Sequence, residues 1–382
     1  MTRLGEVIRQ RIRREGPLPF AAYAECVLYH PDLGYYARCD RRSGRDGDFF
    51  TSVDLGPLFG ELLAAQFAEM WRRLRGRAPG DGRFALVEAA AGSGRLARDV
   101  LDAAARDDPA FYAAIDLHLV ERSRTARGAQ TDTLGPHAAR IASSGPDVPG
   151  NVTGVVFANE LLDALPPHVL AMTDAGLREV HVDVGAGGGL VERLGPLSGA
   201  AVREHVSAWD IRLEPGWRAE ICPAALAWVR RAARALKRGF LLLIDYGHEA
   251  AELYSATHAA GTLTTYRRHR VRNEAAGGTP PWLAEPGERD ITAHVDLTAV
   301  RRTAEGEGLG TLGVLDQTYF LLGLGALDRV AADEGVAGLR RRLALKSLLV
   351  PGGLGSSHKV LVFGKGVGRP RLSGCAHAGR VT

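Results

Sequence analysis

The fold of this 382-residue chain is decided by the stretch Leu86-Val87-Glu88-Ala89-Ala90-Ala91-Gly92-Ser93-Gly94. It ends a strand-length apolar run, and an amphipathic helix is predicted directly after it, over residues 96–105. Small residues in a turn between a strand and a helix let the backbone come close to a bound nucleoside. The turn departs from the GxGxxG pattern of dinucleotide sites, because its glycines are only Gly92 and Gly94. A simple turn without a ligand is the alternative interpretation.

The same alternation continues outward from this stretch. Further strand-length apolar runs are predicted at 116–120, 152–157, 240–244 and 359–363, with longer amphipathic or irregular segments between them. This alternation of short apolar runs with longer segments is typical of stacked βαβ units with a parallel sheet. The sequence therefore predicts an α/β fold.

Composition excludes several classes of protein. Hydrophobic residues make up 46% and charged residues 24%, as in globular proteins, and no uncharged apolar run is long enough to span a membrane. The net charge of +4 comes from acids and bases interspersed along the whole chain, so we expect no nucleic-acid partner. The four cysteines show no metal-binding spacing, and we expect no metal. The arginine-rich bias favours a bacterial protein, and the lack of a predicted membrane span or secretory signal favours the cytoplasm. A homodimer is compatible with the sequence.

Polar residues follow the predicted strands, at the sheet edge where open α/β sheets bind ligands. Glu121 stands 27 residues after Gly94, near the spacing at which a carboxylate accepts hydrogen bonds from ribose hydroxyls. Asn159, Glu160 and Asp163 follow the next strand and could orient a polar acceptor and hold positive charge. The alternatives are ion pairing of Glu121 with a neighbouring arginine, and helix capping by Glu160 and Asp163.

Glu88 before the short glycine loop favours S-adenosylmethionine over NAD, because this cofactor carries an amino-acid tail in place of a pyrophosphate. Glu88, Ala90, Gly92, Gly94, Glu121 and Asn159 are the predicted cofactor-binding residues. Asp245, which follows the apolar run at 240–244, His294 and Asp296 are candidates to take a proton during the reaction. His294 suits this role because an unperturbed histidine titrates near neutral pH. A structural role is the alternative for His294.

The chain resembles the MidA-type S-adenosylmethionine-dependent methyltransferases over about residues 20–363. The resemblance rests on motifs that follow one another in the family's order. They are Tyr29-His30-Pro31-Asp32-Leu33-Gly34-Tyr35-Tyr36, Gly47-Asp48-Phe49-Phe50-Thr51-Ser52, the segments 88–94 and 159–166, Ile244-Asp245-Tyr246-Gly247, residues 265–271, Asp290-Ile291-Thr292-Ala293-His294-Val295-Asp296 and His358-Lys359-Val360-Leu361.

The resemblance implies a seven-strand, Rossmann-like class I methyltransferase core with an N-terminal helical region and an inserted region that covers the substrate. It implies transfer of methyl groups to the guanidino nitrogen of arginine in a protein or peptide, as in the family's mitochondrial complex I assembly factor. It also places Asp48, Thr51 and Ser52 near the cofactor. Two other functions stay open: methylation of a small molecule, and a non-catalytic assembly or binding role.

One departure from the family falls in the loop, where Ala90 and Ala91 stand in place of a glycine and a proline. We expect cofactor binding to survive with a slightly altered backbone. The predicted regions are a helical region at 1–78, a methyltransferase core at 79–185 and 224–366, an insertion at 186–223, an active-site loop region at 247–290 and a disordered tail at 367–382.

Overall fold

The computed structural model describes residues 2–37, 51–75, 82–209, 211–267, 270–272, 279–331, 333–350 and 354–381. The helices are α1 (Arg3–Glu15), α2 (Phe20–Tyr29), α3 (Leu58–Arg75), α4 (Arg95–Asp107), α5 (Pro109–Ala114), α6 (Arg124–Gly128), α7 (Gln130–Leu134), α8 (Ala200–Ala208), α9 (Pro223–Ala235), α10 (Ala250–Leu253), α11 (Leu297–Gly306), α12 (Gln317–Gly323), α13 (Asp328–Ala331), α14 (Gly335–Leu349) and α15 (Leu354–Ser357). None of the described helices is both long and apolar enough to cross a membrane.

The strands are β1 (Leu18–Pro19), β2 (Phe84–Ala89), β3 (Ile115–Val120), β4 (Ile141–Gly145), β5 (Val152–Asn159), β6 (His168–Thr173), β7 (Gly176–Val184), β8 (Leu190–Gly195), β9 (Arg218–Ile221), β10 (Leu236–His248), β11 (Thr264–Arg267), β12 (Arg270–Arg272), β13 (Asp290–Thr292), β14 (Val295–Asp296), β15 (Gly310–Asp316) and β16 (His358–Lys365). The chain forms two compact units. The first unit comprises Met1–Phe50, Leu162–Trp228 and Gly247–Val300, and the second unit comprises Thr51–Leu161, Val229–Tyr246 and Arg301–Thr382.

The second unit is built on a large sheet in the order β15-β16-β10-β5-β2-β3-β4. Strands β10, β5, β2, β3 and β4 are parallel, and β16 lies antiparallel between β10 and β15. The β10 segment Phe240–Ile244 is completely buried, as expected of a central strand covered on both faces. The last two residues of β10, Gly247 and His248, belong to the first unit and pair with the short parallel strand β14. The predicted α/β fold is thus confirmed.

Helix α3 illustrates why the sequence folds locally as it does. Its apolar residues recur at three- and four-residue intervals, so one face of the helix is apolar and buries in the core of the second unit. The residues buried in this way are Leu58, Phe59, Leu62, Leu63, Phe67, Met70 and Trp71.

The first unit contains two smaller sheets. One has the order β1-β7-β6-β9 with β8 paired to β7, and the other has the order β12-β11-β13. Helices α1 and α2 contribute apolar side chains to a core that also includes residues of β7.

The two units divide the chain differently from the predicted regions. Residues 168–173, placed in the predicted core, form β6 of the first unit, and α3, placed in the predicted helical region, belongs to the second. The predicted insertion, 186–223, and loop region, 247–290, supply regular strands to the sheets of the first unit. The boundaries differ because β6, β7, β8 and β9 pair with one another and with β1. Such long-range pairing leaves no local signal in the sequence.

The prediction of a disordered tail is also at variance with the structure. Leu372 is only 3% exposed and packs into the core of the second unit. The amide of Gly374 donates a hydrogen bond to Oε1 of Gln66, and the amide of Gly379 donates one to the carbonyl of Val314. The segment has no hydrophobic period, so only these tertiary contacts reveal its order.

Candidate active site

The candidate site begins at the turn after β2, within the second unit. Ala90, Gly92 and Gly94 all adopt a left-handed backbone, with φ of 55°, 52° and 85°. Glycine reaches this region without steric cost, whereas alanine does not. Ala90 nevertheless adopts the left-handed backbone that a glycine at this position would favour.

Glu88 is the last but one residue of β2 and is 4% exposed. The pKa of its carboxyl is raised to about 8, chiefly by burial and in part by the nearby carboxylates of Glu121 and Asp99, while a hydrogen bond from the Ala97 amide acts in the opposite direction. Its Oε2 atom is buried and makes no hydrogen bond to the described part of the protein. A buried carboxylate oxygen with spare accepting capacity suits the ammonium group of an amino-acid ligand.

Glu121 follows β3 and is held by backbone amides. Gly92 N donates to its Oε2 at 2.9 Å, and Ser123 N donates to its Oε1 at 2.7 Å. The carboxylate thus lies against the glycine turn. Each oxygen retains accepting capacity for the hydroxyl groups of a ribose.

Asn159 and Glu160 lie at the carboxyl end of β5, next to β2 in the sheet. Nδ2 of Asn159 donates to Oε1 of Glu160 at 3.1 Å, and Oδ1 of Asn159 is buried without a hydrogen-bond partner among the described residues. Glu160 has a left-handed backbone with φ of 54°, and Nε2 of His358 lies 3.5 Å from its Oε1. In the order of the sheet, β3 and β4 lie on one side of β2, whereas β5 and β10 lie on its other side. The strand order therefore reverses between β2 and β5, and such a switch point is where open α/β sheets bind ligands.

Asp245 lies near the end of β10, beside β5. It is 1% exposed, and its Oδ2 accepts a hydrogen bond from the amide of Leu161 at 3.2 Å. The amide of Glu160 donates to the carbonyl of Ile244 at 2.8 Å. These two hydrogen bonds fix the end of β5 against the end of β10, so the backbones of Glu160 and Asp245 keep a fixed position relative to each other.

Thr51 and Ser52 precede α3 in the second unit. Thr51 is bonded through its amide and hydroxyl to Oδ2 of Asp54, whose Oδ1 lies 2.8 Å from Nη1 of Arg95. Arg95 is the first residue of α4, directly after the glycine turn. The segment that carries Thr51 and Ser52 is thereby tied to the turn, while Asp48 lies outside the described residues.

Two further groups support the turn and were missed by the sequence analysis. Gln130 is 1% exposed and donates from Nε2 to the carbonyl of Gly92 at 2.9 Å. The ion pair between Arg95 and Asp54 holds the first residue of α4, which directly follows the turn. Neither belongs to a recognisable motif. Only the tertiary structure brings them to residues about 40 positions away in the chain.

Asp163 and His294 belong to the first unit. Asp163 is 6% exposed. Desolvation of the Tyr36 hydroxyl raises its pKa, and the carboxylates of Asp290 and Asp163 act in the same direction. The hydroxyl of Tyr36 donates to Oδ1 of Asp290 at 3.1 Å, and its ring stacks on Tyr29 at 5.3 Å between centroids. Acids beside aromatic rings form a setting suited to a planar cation. The ring of His294 lies beside the rings of His248 and His258.

Comparison with known proteins supports this chemistry. Residues 62–315 match the family model of S-adenosyl-L-methionine-dependent methyltransferases. A mitochondrial protein arginine methyltransferase NDUFAF7 homolog from Drosophila melanogaster is 31% identical, covering 83% of this chain and 74% of its own, and NDUFAF7 from Mus musculus is 30% identical over 82% and 72%. A COG1565 superfamily member from Burkholderia thailandensis, solved with bound S-adenosyl-homocysteine, is 31% identical with a TM-score of 0.86, covering 98% of this chain and 95% of that one.

Proposed function

Because the chain belongs to the family of S-adenosyl-L-methionine-dependent methyltransferases, we propose that it transfers methyl groups to the guanidino nitrogen of arginine in a protein or peptide. The observation that carries the acceptor assignment is the similarity to two protein arginine methyltransferases over more than 70% of their length. The bacterial cytoplasm as location and a homodimer as assembly remain predictions from the sequence.

The residues of the second unit fit S-adenosyl-L-methionine, which supplies a methyl group on a positively charged sulfur. Glu88 and Asn159 each offer a buried oxygen that has no hydrogen-bond partner in the described structure, and together they would accept hydrogen bonds from the ammonium group. Glu121 would accept hydrogen bonds from the ribose. The left-handed turn at 90–94, with Thr51 and Ser52 on the segment bonded to it, would let the backbone approach the nucleoside.

Arginine methylation brings two cations together, since the guanidinium has a pKa above about 12. Glu160 of the second unit would supply compensating negative charge and hold the guanidinium by hydrogen bonds on the nitrogens that do not react, a role that the sequence also predicts for Asp163. Fixing the acceptor in line with the methyl group contributes most of the catalysis, up to roughly 7–11 kcal/mol in favourable cases. Asp245, held by the Leu161 amide, is the group we propose to take the proton that the methylated nitrogen loses.

The acceptor is tested by incubating the protein with methyl-labelled S-adenosyl-L-methionine and a lysate of the host, followed by peptide mapping. We expect label on arginine side chains with mass gains of whole methyl groups. Label found exclusively in a small metabolite would contradict the arginine assignment and favour the small-molecule alternative. Absence of cofactor binding in calorimetry would favour a non-catalytic role.

The role of Asp163 is tested by Asp163→Asn, with Asp174→Asn as the matched control because Asp174 is an exposed acid of the same unit. Loss of a charge that stabilises the transition state should lower turnover about 100-fold while sparing cofactor affinity. The control should keep full turnover. If Asp163→Asn turns over at the wild-type rate, Asp163 has no part in the mechanism.

A further inference from the structure

Three histidines converge in the first unit, although they lie far apart in the sequence. His248 ends β10, His258 ends a short 3-10 helix at Ala256–His258, and His294 stands between β13 and β14. Their ring centroids are 4.6, 5.1 and 6.0 Å apart. One nitrogen from each ring lies within 4.8 Å of the other two. Imidazole nitrogens at this spacing can bind one transition-metal ion.

We propose that His248, His258 and His294 bind a single divalent transition-metal ion of the zinc class. Nitrogen ligands 2.0–2.1 Å from a tetrahedral ion lie about 3.4 Å from one another. The present spread of up to 4.8 Å closes by small side-chain rotations. Three neutral imidazoles favour zinc, nickel, cobalt or copper over magnesium and calcium, which prefer oxygen ligands.

Neighbouring groups orient two of the rings for this role. Nδ1 of His258 lies 3.1 Å from the carbonyl of Glu252, and Nδ1 of His248 lies 3.0 Å from Oε1 of the same residue. A histidine that donates its Nδ1 proton to a carbonyl or carboxylate presents the lone pair of Nε2 to a metal. Glu252 thus provides the outer acceptor of His258 through its carbonyl, and its carboxylate lies within ion-pair distance of His248.

The backbone that carries the cluster is fixed by hydrogen bonds. The amide of His294 donates to Oγ1 of Thr262 at 3.0 Å, and the amide of Gly261 donates to the carbonyl of His258 at 2.8 Å. β14, directly after His294, pairs with the end of β10, with His248 opposite Asp296. The three ligands are therefore brought together by the fold itself, and the ion would join three segments of the first unit.

The electrostatics of the cluster agree with this arrangement. Burial, together with the positive charge that His248 and His258 can carry, lowers the pKa of His294 to about 4. The sequence analysis expected no metal because it examined cysteine spacing, and three single histidines separated by 10 and 36 residues form no recognisable motif.

The proposal is tested with protein purified without a histidine tag and dialysed against a chelator. Zinc is titrated in against a colorimetric competitor, and bound metal is counted by mass spectrometry. We expect one zinc per chain and a rise in Tm on zinc addition. His258→Ala should lower zinc affinity at least about 100-fold and abolish the rise in Tm, because even outer-shell partners are worth 10–100-fold.

His181→Ala is the matched control, because His181 is a partly buried histidine of the same unit outside the cluster. It should bind zinc as the wild type does, and Glu252→Gln should weaken binding about 10-fold. Cobalt serves as a second probe, since its visible spectrum reports coordination by nitrogen ligands in a folded protein. A wild type that takes up no zinc, or a His258→Ala variant that binds it as tightly as the wild type, overturns the proposal.

Discussion

Ala90 and Glu160 are non-glycine residues in left-handed conformation at the ends of adjacent strands, β2 and β5. Such a backbone costs about 1–2 kcal/mol for a residue with a Cβ atom. It persists where the surrounding structure determines it, and this is often at a functional site. Both residues lie at the switch point of the sheet, where the cofactor and the acceptor must be positioned.

Ala90→Gly should raise the free energy of unfolding by up to about 1 kcal/mol, since relief of the left-handed strain exceeds the entropy that glycine gains in the unfolded chain. Ala91→Gly, one position further, serves as the control because Ala91 has no positive φ. Ala91→Gly should lower the free energy of unfolding by about 0.5–1 kcal/mol. Urea denaturation measures both, and equal losses for the two variants would refute the strain argument.

The carboxyl group of Glu88 makes the stability of the folded chain depend on pH. Its pKa is raised to about 8 in the folded chain from 4.5, so between these values the folded state holds a proton that the unfolded state has released. The contribution of Glu88 to stability is therefore greatest below about pH 4.5 and falls as pH rises to about 8.

Glu88→Gln removes this dependence. We expect the Tm of the variant minus that of the wild type to grow between pH 5 and about 8, while cofactor affinity at pH 8 falls because an accepting charge is lost. Thermal unfolding at a series of pH values and calorimetric titration provide the two measurements. A Tm difference that stays constant over this range would show that Glu88 is not the titrating group.

At the scale of elements, β15 and β16 are joined by a buried ion pair. Nζ of Lys359 donates to Oδ1 of Asp316 at 2.6 Å and to the carbonyl of Ser356 at 2.8 Å. The side chains of Lys359 and Asp316 are each 2% exposed. Removing one partner of such a pair leaves a buried charge uncompensated, whereas removing both costs much less.

Lys359→Met should therefore lower the free energy of unfolding by about 3–5 kcal/mol. The double variant Lys359→Met with Asp316→Asn should recover much of that loss. Lys346→Met, an exposed position on α14, controls for the loss of a surface lysine. Chemical denaturation of the wild type, Lys359→Met, Asp316→Asn and the double variant gives the coupling energy. A double variant as unstable as the sum of its single changes would rule out the proposed pairing.

At the scale of the whole molecule, the C-terminal segment completes the second unit. The carbonyl of Arg380 accepts a hydrogen bond from the amide of Asp316 at 2.9 Å, and Gly379 bonds to Val314 on the same strand, β15. β15 is the edge strand of the large sheet, so the segment covers part of an otherwise open edge.

Truncation after Gly366 should lower the free energy of unfolding by at least about 2 kcal/mol, because it removes the buried side chain of Leu372 from the core. Truncation after Arg380 should be neutral, since Val381 is exposed. Denaturation curves of the two shortened chains and of the full chain measure these free energies of unfolding. If the longer deletion is as stable as the full chain, the packing of the segment contributes nothing.

The sequence by itself determined the elements of the core and the order of its chemical groups. Completely apolar runs such as Phe240–Ile244 predict buried parallel strands, and the apolar period of α3 predicts a helix with one buried face. The acids Glu88 and Glu121 were found because each stands at or directly after the end of a strand. These features are local, since period and composition act over a few neighbouring residues.

The tertiary structure alone decided which distant residues meet. Gln130 reaches the Gly92 carbonyl, and Asp54 reaches Arg95, through packing between elements that no local period encodes. The convergence of His248, His258 and His294 likewise depends on the pairing of β14 with the end of β10. Long-range hydrogen bonds and buried contacts create these groupings, and a chain read residue by residue carries no signal for them.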